Sequence, residues 1–309
     1  MSLENVGVAK IMRAAWKQHI LVPAFNVAYL PMTEVINDTL RELGTFGLIE
    51  VARPDVEKFG AKSFAAVAEE FRRVADRRFV RLHLDHVPVI DEDGLRVDWE
   101  PLIDQGLELG FDSVMIDGSR LPLEENIAAT KTVVEKAHAR GVPVEAELGA
   151  VLGHEPGPLP PYEELFATGK GFTDPDEAAR FVRETGVDWL SVAVGNIHGA
   201  ISGAAKDQAK PEARLNIEHL RRLNEVCGVP LVLHGGSGIR RESLLKGIQN
   251  GIAKINIGTN IRQPYEAHLR EHPGDIAGAQ QAVAEEIRTL IVDVYGIAGS
   301  AERIAEALE

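Results

Sequence analysis

Phe79-Val-Arg-Leu-His-Leu-Asp-His86 is the stretch from which the rest of the chain can be read. Its first six residues have the apolar, β-favouring character of a buried strand. The last two set a carboxylate beside an imidazole at that strand's carboxyl end. In a parallel α/β fold this end faces the ligand, which makes Asp85 and His86 candidates for a functional site. An isolated Asp-His pair is more often a structural hydrogen bond. The pattern recurs, however, because other strand-like runs end in Glu147, in His198 after Gly195-Asn-Ile, and in His234.

Working outward, Ile20-Leu-Val-Pro-Ala-Phe-Asn-Val27 reads as the first strand, and a helix over 33–43 follows it and stops at Gly44. Further strands are expected at 47–52, 79–86, 112–117, 142–147, 189–194, 230–234 and 253–257. Amphipathic stretches at 63–77, 124–140, 174–185, 216–227 and 242–249 lie between them. Eight alternating units in a chain of 309 residues predict an α/β fold, a (β/α)8 TIM barrel forming a single domain over 1–309. An open doubly wound sheet is the alternative, but no Gly-x-Gly-x-x-Gly follows the first strand. Residues 6–18 have helical spacing suited to closing the barrel floor, and 279–295 and 301–308 are extra C-terminal helices. The connection 148–173 is rich in Pro and Gly, holds Glu155, and is expected to be an irregular loop acting as a lid.

Composition narrows the function. No apolar run approaches the roughly 20 residues of a membrane span, and no basic segment followed by an apolar one opens the chain. A soluble, cytoplasmic protein is expected, with no membrane partner. The formal charge of -14 argues against nucleic acid. Cys227 is the only cysteine, so thiolate clusters and internal disulfides are excluded and any metal is held by nitrogen and oxygen. His86, His198 and His234 would meet at one barrel mouth, where three neutral imidazoles with an open position suit a catalytic zinc ion. Three separate structural histidines would explain the same residues. Glycine beside His198 and in His234-Gly-Gly-Ser-Gly238, with Asn256-Ile-Gly-Thr259 opening a helix, offers backbone amides to an anion such as phosphate.

Seven motifs carry a family resemblance over essentially the whole chain. They are Val22-Pro-Ala-Phe-Asn-Val27, His83-Leu-Asp-His86, Ser113-Val-Met-Ile-Asp-Gly-Ser119 with Glu125-Asn126, Val144-Glu-Ala-Glu-Leu-Gly149, Gly195-Asn-Ile-His-Gly199, Leu233-His-Gly-Gly-Ser-Gly238 and Lys254-Ile-Asn-Ile-Gly-Thr259. In this order they resemble the class II, metal-dependent ketose-bisphosphate aldolases, which include fructose-bisphosphate and tagatose-bisphosphate aldolases. The resemblance implies a lyase that splits a ketose 1-phosphate or bisphosphate into dihydroxyacetone phosphate and an aldehyde. It implies zinc on His86, His198 and His234, with Asp117 and Glu147 as acidic positions for a second or displaced metal. It further implies Asp85 as acid/base at the C4 hydroxyl and Glu155 as the proton carrier at C3. Asn26, Gly199, Gly235, Gly236, Ser237, Asn256, Gly258 and Thr259 would contact substrate, a monovalent cation (Na+ or K+) would sit near the phosphate, and the enzyme would be a homodimer or homotetramer.

The chain also departs from this pattern. Strand two carries Glu50-Val-Ala52 where many members have Gln-x-Ser, and Gln280 stands where an arginine reaches the distal phosphate. An aldolase with a different acceptor aldehyde, a metal hydrolase on the same barrel, and a non-catalytic partner subunit are the competing readings. The hydrolase lacks its His-x-His on strand one, where Asn26 stands.

Overall fold

The computed structural model describes residues 2–150, 161–196, 213–236 and 238–309. Eight strands run β1 Val22–Asn26, β2 Gly47–Ala52, β3 Val80–Pro88, β4 Ser113–Asp117, β5 Val144–Leu148, β6 Trp189–Val192, β7 Leu231–Leu233 and β8 Ile252–Ile257. All pair in parallel and in chain order, and β8 returns to β1 to close a (β/α)8 barrel, so the open-sheet alternative falls. The outward side chains of the strands explain the closure. Leu82, Leu84, Val114, Ile116 and Ile255 share one apolar layer with Ile36, Phe71, Ile103 and Val133 of the surrounding helices. Strands covered on that face by helices bury their apolar side chains without an exposed sheet edge.

The helix Val8–Lys17 forms the floor, as its spacing predicts. Its Ile11, Met12 and Ala15 pack with Val22, Leu48, Trp189 and Val232 from inside the barrel. Arg81 is buried and fastens this plug: its Nη2 donates to Leu3 O at 2.6 Å and Val6 O at 2.9 Å. At the other end of the chain, the helix Ile276–Arg288 packs on Thr259–Glu271 and Met32–Glu42. The helix expected over 279–295 is not uniform, because Thr289–Tyr295 is wound as a π-helix before Ser300–Glu306.

The described residues 161–173 of the connection 148–173 are more regular than expected. They contain the helix Tyr162–Thr168, ended by Gly169 at φ +65°. Tyr162 ties this helix to the β6 exit by accepting the Arg214 N–H at 2.7 Å and lying 3.0 Å from Gly195 O. A short turn between two Pro/Gly runs carries too little periodicity to stand out in sequence.

One irregularity in β3 places the site. His83 and Leu84 pair with Ser113 and Val114, and the next pairs are Val87 with Ile116 and Pro88 with Asp117. Three steps on β3 therefore match two on β4, which is a β-bulge, and His86 sits in it at φ +35°. In a regular strand consecutive side chains face opposite ways, so Asp85 inside the barrel would send His86 into the helix layer. The extra residue lets both face the mouth. Val87 and Val89 then resume the outward apolar alternation.

Candidate active site

Above the apolar floor the barrel interior is ionic. Glu50, His83, Glu145 and Lys254 are all 0% exposed. Lys254 Nζ lies 2.9 Å from Glu145 Oε2 and 3.3 Å from Glu50 Oε2, and Trp189 Nε1 donates to Glu145 at 2.6 Å. Burial opposes charge on both members of the Lys254–Glu145 pair, but each holds the other ionised: Glu145 lies below the usual carboxylate range and Lys254 above the usual amine range. Glu50 behaves differently. Burial and then the Asp85 charge drive its pKa well above the ordinary value, and neither of its oxygens has a hydrogen-bond partner among the described residues. Burial and Asp85 thus disfavour its charged form, against the pull of the Lys254 ammonium 3.3 Å away.

His83 is neutral. Burial, reinforced by the Lys254 charge, pushes its pKa down to about 3, and its Nδ1 lies 2.8 Å from Ser113 Oγ. Unfolded, the same imidazole titrates near about 6.5. Between those values the unfolded chain binds a proton that the folded chain refuses, so stability falls as pH falls. From pH 7 to pH 5 the wild type should lose about 2 kcal/mol more than His83→Gln. Urea midpoints at the two pH values test this, and equal pH slopes would show that His83 protonates normally.

The next layer up is the mouth. Asp85 is only 2% exposed, and two asparagine amides hold it. Asn26 Nδ2 at the end of β1 donates to Oδ2 at 3.0 Å, and Asn256 Nδ2 on β8 donates to Oδ1 at 2.8 Å. Burial pushes the Asp85 pKa up, but the charges of His86, Lys254 and His234 outweigh it and keep the carboxylate ionised. His234, just beyond β7, is wedged between Glu145 Oε1 at 2.8 Å from Nε2 and Glu147 Oε2 at 2.8 Å from Nδ1. Burial lowers its pKa, yet Glu147 and Glu145 together lift it well above the usual imidazole value. Its ring meets that of His86 edge-on, with centroids 4.3 Å apart. His86 Nδ1 is 3.2 Å from Asp117 Oδ2, and Asp117 is itself bound by Ser119 N–H at 3.0 Å and Ser119 Oγ at 2.6 Å. Burial lowers the His86 pKa, but Asp85 and Asp117 raise it to about 9.

These contacts build two overlapping sets of metal donors. Asp85, His86 and His234 offer ligand atoms within 4.8 Å of one another, and so do His86, Asp117 and Glu147. Each histidine is paired with a carboxylate, His86 through Nδ1 with Asp117 and His234 through Nε2 with Glu145, the arrangement that orients a metal-binding imidazole. Two imidazoles with acidic oxygens and no thiolate are a borderline to hard donor set suited to zinc. His234 places positive charge between two glutamates. A metal cation held by this ring would likewise supply positive charge there, displacing a ring proton.

A family model described as class-II fructose-bisphosphate aldolase matches residues 6–303, nearly the whole chain. The chain belongs to this family. It is an aldolase, and hence a carbon–carbon lyase. It is 33% identical over 321 residues to the fructose-bisphosphate aldolase of Streptococcus pneumoniae, covering 96% of this chain and 99% of that one. It is 38% identical over 270 residues to that of Geobacillus stearothermophilus, covering 86% and 85%. Among solved structures, the YdjI aldolase from Escherichia coli K12 superimposes with a TM-score of 0.74 at 30% identity, covering 95% of this chain and 98% of that one.

Within this aldolase the expected site residues fall into two groups. Asp85, His86, Asp117, Glu147, His234, Asn26 and Asn256 converge on the mouth through the contacts above. Gly258 is close to Asn26, since a Cβ there would come 3.3 Å from Asn26 Oδ1, and it leads into Thr259 at the head of the helix Thr259–Glu271. Gly235 and Gly236 carry the chain out of β7. A Cβ at Gly236 would stand 2.4 Å from Ile255 Cδ1, so glycine is what allows this turn to lie against β8. His198, Gly199, Glu155 and Ser237 lie outside the described residues.

Other residues were not singled out in the sequence. Asp55 is buried just beyond β2, taking the Ala52 N–H at 2.8 Å and Asn26 Nδ2 at 3.4 Å. Burial raises its pKa, the Ala52 N–H bond restrains it, and the Asp85 charge adds to the rise, leaving it at about 7. Asn196 is buried and donates to the His234 carbonyl at 2.9 Å, which fixes the backbone that presents that histidine. Period two offered a signal for Glu145 and His83, which precede Glu147 and Asp85 by two residues and so share their face.

Proposed function

We propose that this aldolase cleaves, and in reverse forms, a ketose 1-phosphate or bisphosphate, with dihydroxyacetone phosphate as one product and a zinc ion held by His86, His198 and His234. Asp85 carries the reading: a buried carboxylate, fixed at both oxygens by amide donors, with its ligand atom within 4.8 Å of those of two imidazoles. When bound, zinc supplies a Lewis acid for the C2 carbonyl. Asp85 accepts the C4 hydroxyl proton as the C3–C4 bond breaks and the aldehyde forms. Its ionised state is ready for this, and the two asparagines hold it in one orientation. Asn256 Oδ1 makes no hydrogen bond among the described residues and is available to a hydroxyl. Glu155 is assigned the opposite proton transfer, to C3, so two carboxylates serve the two half-reactions.

Gly199, Gly235, Gly236 and Ser237, with Gly258 and Thr259, are assigned to the dihydroxyacetone phosphate half, where backbone amides at strand ends and a helix start suit a phosphate. A monovalent cation, Na+ or K+, would complete that half. Asp117 and Glu147 steer the imidazoles and can take a second or displaced metal. A zinc-loaded screen with dihydroxyacetone phosphate against a series of aldehydes tests the reading, and chelation should remove the activity. Condensation that persists in stripped protein, or none with any aldehyde, would overturn it.

The distal end of the substrate is the weaker fit. Ala52 has no hydroxyl, and Gln280 Nε2 is committed to Pro31 O at 2.8 Å. Arg53 is held by Glu57 at 2.6 Å and Asp91 at 3.2 Å. Among the described residues, neither position 280 nor Arg53 leaves a charge-assisted bidentate donor for a second phosphate. We expect kcat/KM for fructose 1,6-bisphosphate to be no higher than for ketose 1-phosphates that lack the distal phosphate. A preference for the bisphosphate of about tenfold or more, equal to about 1.4 kcal/mol, would contradict this.

A further inference from the structure

We infer that Asp55 selects the aldehyde half of the substrate, favouring an uncharged polyhydroxy aldehyde and rejecting one that bears a phosphate. This rests on Asp85 as the base at C4, because that assignment fixes the side from which the aldehyde leaves. β2 and β3 pair with Ala52 opposite Asp85, and the chain then turns straight into the helix Arg53–Glu57, whose third residue is Asp55. The Asn26 amide joins the two acids: its Nδ2 donates to Asp85 at 3.0 Å and reaches Asp55 at 3.4 Å. Asp85 and Asp55 are thus neighbouring carboxylates on one shared donor. With Asp85 at the C4 hydroxyl, Asp55 faces the part of the ketose beyond C4.

Only one oxygen of Asp55 is occupied. Oδ2 takes both the Ala52 N–H and the Asn26 amide, whereas Oδ1 makes no hydrogen bond among the described residues. Once ionised, above its pKa of about 7, this carboxylate offers acceptors alone, so it pairs with hydroxyl groups and repels a phosphate. Among the described residues, the nearby arginines and lysine are each engaged by another carboxylate. Arg53 is engaged by Glu57 and Asp91, Lys58 by Glu92, and Arg262 by Glu266 at 2.6 Å. A glycine or serine at position 55 would leave the phosphate unopposed. The aspartate makes discrimination an active property of the pocket, not the mere loss of a phosphate-binding arginine.

The test is synthesis from dihydroxyacetone phosphate with two acceptors, glyceraldehyde and glyceraldehyde 3-phosphate, in the zinc-loaded wild type and in Asp55→Asn. The wild type should favour glyceraldehyde in kcat/KM. Asp55→Asn keeps an acceptor for the Ala52 N–H but loses the charge, and should lower that preference by on the order of tenfold or more. Asp55→Ser, which also retains an acceptor there, repeats the measurement if the first variant folds poorly. A wild type that prefers the phosphorylated acceptor, as the exposed Arg120 beyond β4 would produce if it reached the phosphate, overturns the inference without any variant. So does a ratio that stays within about twofold in a folded variant. Exchange of the C3 proton of dihydroxyacetone phosphate with solvent, which needs no aldehyde, separates the two levels. Exchange intact with an unmoved ratio removes only the role of Asp55, whereas no exchange in the wild type removes the ketose reading and this inference with it.

Discussion

His234→Ala should reduce aldol cleavage by at least on the order of 10³-fold and leave the purified protein without stoichiometric zinc. Among the described residues, His234 is the imidazole that touches both acidic layers, contacting Glu145 in the sealed interior and Glu147 at the mouth. Removing it takes away a proposed ligand and the positive charge between two buried glutamates. The second loss bears on folding, because breaking a buried ion pair costs about 3–5 kcal/mol. Inactivity alone is therefore an ambiguous result, and bound zinc must be counted on the folded fraction. Glu145→Gln separates the effects. It leaves His234 an amide oxygen to donate to while removing the negative charge, and should weaken zinc binding by about 10–100-fold, with activity recovered at high zinc. Near-normal turnover by folded His234→Ala, or by zinc-stripped wild type, would end the metal assignment.

Asp85→Asn should slow cleavage by about 10²–10⁴-fold while leaving C3 proton exchange of dihydroxyacetone phosphate within about an order of magnitude of the wild type. Exchange requires only the C3 proton, assigned to Glu155, whereas cleavage also requires the C4 hydroxyl to be deprotonated. Glu155→Gln should give the reverse pattern, with exchange lost first. The substitution at 85 also has a structural price, since an amide there sets its NH2 against the NH2 of Asn26 or of Asn256, both of which now donate. A melting curve accompanies the kinetics for that reason. Equal loss of exchange in both variants would show that the two carboxylates do not divide the work.

The barrel was legible because its outward residues obey a simple rule. Val80, Leu82 and Leu84 alternate with inward side chains, and the same alternation in the other strands gave eight elements close to their observed limits. The site was legible where polar residues stood at strand ends, as with Asp117, Glu147 and His234. It was less so where a side chain's direction depends on a local irregularity. Strict alternation points His86 away from the mouth, and only the register shift shows how it joins Asp85. Asp55 was hidden for another reason: Arg53-Pro-Asp55 reads as a surface turn, and nothing local reveals that Asn26, from a different strand, closes over it. Lys254, Glu50 and His83 were absorbed into apolar strand runs, and Lys254 meets Glu50 and Glu145 only when the barrel closes and brings β8 near β2 and β5.

The bulge in β3 bears on how such a site can be moved or made. A codon inserted into a barrel strand ordinarily turns over every later side chain, exchanging core for cavity down to the next loop. Here the added residue is absorbed at His86 by one left-handed backbone step, and Val87 returns to its partner Ile116 with its facing preserved. The strand thereby delivers two functional groups at a mouth where a regular strand delivers one. Grafting this chemistry onto another eight-stranded barrel by substitution alone would bury the first histidine among the helices. The graft must lengthen the recipient strand by one residue, and the gain or loss of that single codon is enough to switch a barrel between having the Asp-His doublet and lacking it.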